Sequence, residues 1–368
     1  MRFLTRLALL TTVLLPLPVL AQETAPTVGT LNVAKVPSVM ARAVDDFIRP
    51  GYRRFTEEAT AMQGAMQTLC GAPSAETLDG AHKAFGNLVE AWSRIEIVRV
   101  GPVLDDNRFE RILFFPDRKG TGLKQVQAAL AKPDTTVTSV ETLKGKSVAM
   151  QGLGALEFVL FGTDSETLAT NEGSYRCQYG TAIAGNLERL GSELTAAWDA
   201  PDGVAAAWKT PGPNNPIYRD EAEAAKELLG VLVHAAETIR DQRIEQFYKG
   251  DPKKALPRQA IYWRSDNTFR SITANIEGLR DLLERSGMVE LLAEDNRSVV
   301  SSTDFVARSL ARVSADIKPD VAQAIEDPAQ IAKLDFLLLN SRDLILRLNN
   351  DLGGGIGLAA GFSFSDGD

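Results

Sequence analysis

Glu157 is the single charged residue in the run Gly152-Leu153-Gly154-Ala155-Leu156-Glu157-Phe158-Val159-Leu160-Phe161-Gly162, and a carboxylate so placed needs a partner. Between Leu156 and Phe158 it either stays ionised beside an arginine or has its pKa raised. Arg94, Arg99 and Arg111 are the candidate cations. On a helix, residues at i and i+3 share a face, so position 154 stands beside Glu157, and Gly154 offers no ligand there. Two further stretches set aromatic rings against charge, Trp92-Ser93-Arg94-Ile95-Glu96 and Tyr262-Trp263-Arg264-Ser265-Asp266. Such residues either shape a pocket for an anion or a sugar or pack with a polar edge outward. Ser265 or Asp266 can cap a helix from Asn267 onward, and amides at such a start can equally receive an acidic ligand.

The histidines are His82 and His234. His234-Ala235-Ala236-Glu237 has the spacing of a ligand pair but reads more simply as a contact along one helix face. His82 follows Asp79 by one turn and reads as a solvated or core-edge residue. The chain has no G-x-S-x-G elbow, no G-x-x-x-x-G-K-[ST] phosphate loop and no H-E-x-x-H.

The Glu157 segment resembles the G-x-H-x-x-E signature of the imelysin family, also called the M75 peptidase family, with Gly154 at the His position. Ala91-Trp92 through Gly101-Pro102 is similar to the family's A-W-x-x-x-E…G-P stretch, with Glu96 at the acidic position. Arg111-Ile112-Leu113-Phe114-Phe115-Pro116-Asp117 also matches family usage. The ending Gly361-Phe362-Ser363-Phe364-Ser365-Asp366-Gly367-Asp368 resembles G-F-N-x-x-D-G-D, with Ser363 where Asn is usual.

The resemblance implies an all-α fold of two packed helical bundles with a site between them, and a role in iron acquisition. With Gly at 154, a metal needs oxygen ligands such as Glu157, Glu96 and Asp117, which favours iron or calcium over zinc. The ligand-binding set that follows is Arg94, Glu96, Arg111, Gly152, Gly154, Glu157, Trp263 and Ser265. The expected protein is exported and non-catalytic, holding a metal ion or small ligand at the bundle interface. The alternatives are an M75-type metallopeptidase, and a metal-free interaction protein with an outer-membrane or periplasmic partner.

Residues 1–21 read as a signal peptide, with Arg2 and Arg6, an apolar stretch from Leu7 to Leu20, and Val19-Leu20-Ala21 before the cleavage point. No later stretch approaches the ~18 apolar residues of a membrane span. The first cysteine is Cys70, so no lipid anchor follows the cleavage site, and a periplasmic location is expected. The chain of 368 residues carries 40 Lys plus Arg against 48 Asp plus Glu, and loss of Arg2 and Arg6 leaves a net charge of about −10. Nucleic acid is excluded as a partner class on that balance. Two cysteines in an exported chain point to a Cys70–Cys177 disulfide, with a free thiol pair or a catalytic cysteine as the alternatives.

Apolar residues three and four apart indicate a helix over 36–69, broken or kinked at Pro50-Gly51. A second helix runs from an N-cap at Ser74 to about Arg99. Thr138-Ser139-Val140-Glu141 resembles a capping box, and the helix carrying Glu157 follows from about Val148. Further helical patterns lie at 174–199, 218–248, 266–286, 297–315 and 330–352. The richest loop signal lies between Trp198 and Tyr218. The organisation expected is a linker over 22–35, a first bundle over 36–168, a second over 169–352, and a Gly-rich tail over 353–368 that is too rich in Gly for helix.

Overall fold

A computed structural model of the protein describes residues 29–358, so the expected signal peptide, most of the linker and the end of the tail lie outside the described residues. The described residues are all-α, with no strand among them. The first helix, α1 (Val36–Arg42), passes through a π-helical turn (Ala43–Ile48) into α2 (Arg49–Gly71). The expected break at Pro50 is therefore absorbed upstream. Proline has no N–H to give the carbonyl of residue 46. The Asp46 carbonyl instead accepts from Arg285 Nη1 at 3.3 Å.

Helix α3 (Ala75–Ile95) starts as its sequence predicts, Ser74 Oγ accepting from the Thr77 amide while Thr77 Oγ1 accepts from the Ser74 amide, each at 3.1 Å. It buries Phe85, Leu88, Trp92 and Ile95, a stripe at helical spacing. Next come α4 (Thr121–Ala131), α5 (Leu153–Phe161) and α6 (Ser174–Asp199). The capping signal near residue 138 belongs to Ser139, which caps only the short turn Val140–Leu143. The Glu157 helix begins at Leu153, later than expected, because Val148–Met150 forms one 3₁₀ turn and Gly152 becomes the N-cap.

The remaining long helices are α7 (Glu221–Glu237), α8 (Thr268–Arg285), α9 (Ser298–Ala315) and α10 (Pro328–Leu346). Helices α7 and α10 run on through π-helical turns, Thr238–Glu245 and Arg347–Leu352. Gly353–Gly355 forms a helical turn against expectation, the preceding turn supplying its framework.

Helix α2 packs between α3 and α6, while α8 packs on α3 and α9, and α9 on α10. The α3–α8 seam is polar. Arg94 meets Glu277 at 2.5 Å and Asp281 at 2.6 Å, and Asn275 Nδ2 donates to the Ser93 carbonyl. One hydrophobic cluster runs from Val36 to Ile356, so both halves share a core. A division at 168/169 would part α6 from α2. Cys70 and Cys177 join those helices in a disulfide with a Cα–Cα distance of 5.7 Å. Among the described residues no helix is long and apolar enough to cross a membrane.

The disulfide closes a loop of 107 residues, which removes much freedom from the unfolded chain. Replacing both cysteines by serine should lower the unfolding free energy by about 2–4 kcal/mol in urea titrations. An unchanged midpoint would show that the packing of α2 on α6 suffices.

Candidate functional site

Helix α5 is apolar on every side, and Glu157 on it is only 4% exposed. Its Oε1 accepts from the amides of Arg264 and Ser265, each at 3.1 Å, and from Ser265 Oγ at 2.9 Å. Its Oε2 lies 3.9 Å from Arg264 Nη1. Positive φ at Tyr262 (52°) and Asp266 (56°) folds the connecting loop so that consecutive amides face the carboxylate. Burial pushes the Glu157 carboxyl above its ordinary value, against the pull of the Ser265 hydrogen bond and the Arg264 charge.

The amides before α8 thus receive an acid, but the acid is the chain's own Glu157. Asn267, not Ser265 or Asp266, is the α8 N-cap, and the Ser265 hydroxyl is turned to Glu157 instead. None of the three arginines named from sequence reaches that carboxylate. Arg94 is held at the α3–α8 seam, Arg99 pairs with Glu110, and Arg111 donates to the Asp106 and Lys144 carbonyls and Gln151 Oε1.

The far end of α5 is secured by cationic and aromatic groups. Arg176 donates to the carbonyls of Phe158, Val159 and Thr163, which suits the negative end of a helix. His82 Nε2 lies 3.0 Å from the Leu160 carbonyl, and its ring stacks on Phe161. The other histidine, His234, contacts Glu237 at 3.1 Å along one helix face.

Glu96 lies in a neighbouring buried cluster, where its Oε1 accepts from Arg243 Nη2 at 3.0 Å and Asn275 Nδ2 at 2.6 Å. Glu96 Oε2, Arg243 Nε and Nη1, Asn275 Oδ1 and the Tyr262 hydroxyl are buried without a protein partner. A cavity of about 30 Å³ touches Glu96, Arg243 and Asn275, space for one water that both donates and accepts. Burial, then the nearby Glu96 carboxylate, push the Tyr262 hydroxyl well up. Sequence reasoning missed Arg243 and Asn275. The signal for Arg243 was its charge between Ile239 and Ile244, in a stretch whose π-helical turn shifts the face each residue presents.

Beside Glu157 opens a cleft of about 250 Å³ whose wall includes Asp117, Arg118, Gly154, Arg258, Trp263 and Arg264. It adjoins a chamber of about 730 Å³ that shares Arg258, Gln259, Trp263 and Arg264. Gly152 is buried, and a Cβ there would stand 2.3 Å from the Ile112 carbonyl oxygen and 2.5 Å from that of Arg111. It lets α5 dock and lies outside the cleft lining. A Cβ on Gly154 would meet nothing within 4 Å, so that position is open cleft.

The sequence profile of imelysin (peptidase M75) matches residues 48–347 of this chain. The chain belongs to the imelysin family. Two solved structures share its fold. An imelysin-like protein from Psychrobacter arcticum 273-4 aligns with a TM-score of 0.75 at 18% identity, covering 91% of this chain and 100% of that one. A protein provisionally described as an iron-regulated protein A precursor, from Parabacteroides distasonis ATCC 8503, aligns with a TM-score of 0.72 at 15% identity, covering 89% and 96%. No curated protein sequence matches the chain.

The expected metal set does not fit this imelysin fold's geometry. Asp117 spends one oxygen on the Thr121 amide at 2.8 Å and the other on the Leu123 amide at 3.0 Å, capping α4. Glu96 is paired with Arg243, and Glu157 with the 264–265 amides. Among the described residues no three His, Cys, Asp or Glu side chains converge to hold a metal ion.

The two glycines should part on mutation. Gly152→Ala should cost about 1–3 kcal/mol through the backbone clash, whereas Gly154→Ala should add about 0.4–1 kcal/mol. Equal effects in urea titrations would refute the assignment. For Glu157, the raised pKa means that its stabilising contribution is present below 4.5 and lost as pH rises through the folded value. As pH rises from 4.5 through the raised folded value, Glu157→Gln should therefore lose less stability than the native chain. Parallel pH profiles would show that Glu157 titrates as a solvated acid.

Proposed function

We propose that this imelysin-family protein is an exported, non-catalytic binding protein that holds a small ligand in the cleft beside Glu157, in the service of iron acquisition. The observation that carries the reading is the open wall at Gly154, next to the carboxylates of Asp117 and Glu157, which already accept from backbone amides. A hydrolytic metal centre asks for three protein ligands and an open position. The carboxylates of the cleft are instead engaged with backbone amides. The Cys70–Cys177 disulfide suits an oxidising compartment, in line with the expected signal peptide. The link to iron rests on the description of the Parabacteroides protein.

A thermal-shift screen of small metabolites and iron chelates tests the reading, with Gly154→Leu filling the cleft and Gly154→Ala as the control. A ligand of the cleft should raise the melting temperature of the native chain and of Gly154→Ala, and should leave Gly154→Leu unmoved. A shift that survives in Gly154→Leu would place the ligand elsewhere and sink the proposal.

A further inference from the structure

We infer that the ligand is a multiply charged organic oxyanion, held by Arg118, Arg258 and Arg264, and that a bare metal cation is not accepted; this rests on the reading that the cleft binds a ligand. The first ground is the balance of unmet charge. Both Asp117 oxygens take amides, and Glu157 Oε1 takes three donors. Among the described residues, the guanidinium groups of the same wall donate no hydrogen bond to the protein. Arg118 and Arg258 are exposed and make no ion pair among the described residues. The Arg264 side chain is 19% exposed, and its guanidinium stands 3.9 Å from Glu157 Oε2, beyond hydrogen-bonding range. It lies over the Trp263 ring at 4.4 Å and the Phe158 ring at 5.4 Å, so its N–H donors have no protein acceptor. Planar guanidinium forks with free donors recognise oxyanions, and they repel a metal ion.

The second ground is room. Gly154, in the first turn of α5, borders the cleft and leaves its wall open. An inorganic ion would leave most of the space unused. Beyond Trp263 the second chamber is bordered by Phe161, Leu256 and Pro257, which suits an organic body. It adds no cation to the Arg258 and Arg264 that it shares with the first chamber, and its further charged residues are the carboxylates Asp266 and Asp320. Arg118 borders the first chamber alone and Arg258 and Arg264 border both, so the three guanidinium groups converge on the first chamber and the anionic groups belong there. Iron would then arrive complexed to the anion.

Isothermal titration of the full mature chain, using citrate, ferric citrate, inorganic phosphate and zinc chloride as probes, tests this. Citrate or ferric citrate should bind. The double variant Arg118→Gln/Arg258→Gln, changed only at exposed positions that make no ion pair, Arg258 lying over the Trp263 ring at 5.7 Å, should weaken that binding about tenfold or more. Added salt should weaken binding to the native chain. Tighter binding of ferric citrate than of citrate supports the inference and identifies the anion as an iron carrier. Phosphate binding as tightly as citrate would overturn the organic part. Citrate binding that ignores the double variant would overturn the arginine assignment. Zinc binding without citrate binding, abolished in Gly154→Leu, would overturn the inference while leaving the cleft a binding site. Failure of every probe, together with a silent metabolite screen, would remove both.

Discussion

The carboxylate of Glu157 against the amides of Arg264 and Ser265 is the contact on which the arrangement of the site depends. It joins groups 107 and 108 residues apart, and each side is useless to the other unless both are held still. An ionised carboxylate taken from water into an apolar setting costs several kcal/mol, which three donors and a nearby guanidinium offset in part, and only in a fixed geometry. The fold supplies that rigidity from both ends of α5. Gly152 lets the N-terminus approach the 111–112 backbone, while Arg176 and His82 satisfy carbonyls at the C-terminal end.

The Glu96–Arg243 pair applies the same logic one layer deeper. It links α3 to the π-helical turn after α7, and Asn275 draws in α8. A widened turn is a costly way to continue a helix, and here it carries the arginine of that pair. Tyr262 is the point where the two clusters meet, since both Glu96 and Glu157 push its hydroxyl up. The loop that feeds amides to one carboxylate thus also feels the charge of the other. A shift of that loop would disturb both pairs together.

Much of the fold was legible because local rules sufficed. Helical periodicity placed α6 at its observed bounds and α8 and α9 within two residues of theirs, and Ser74 announced the start of α3. An even cysteine count pointed to the disulfide. The site was legible in halves. Glu157 stood out as a buried acid, and the 263–265 segment as amides ready for an acid, but nothing local says that the two belong together. Arg94, Arg99 and Arg111 were candidate cations by charge alone, and spacing in sequence does not say which arginine the packing of the helices brings to Glu157. Asp117 carried an overlooked signal. It precedes Lys119-Gly120-Thr121 and a helical run, which is the position of an acid that serves helix amides. Pro50 was read by its usual effect, and the Arg285 guanidinium that serves the orphaned Asp46 carbonyl lies in another helix.

A glutamate on an apolar helix invites a reading as a metal ligand, yet in this chain its geometry has a sufficient cause without any ion. The loop amides need an acceptor, and Glu157 supplies it where α5 packs. Glu157 would be required by that docking alone. On the proposed reading, the ligand preference of the cleft is set by residues outside that docking contact, Gly154 on one wall and Arg118 and Arg258 on the others. Such a division lets one framework keep its carboxylate while the chemistry facing the solvent changes, and it explains why the Glu157 segment can mark the family without specifying what the cleft holds.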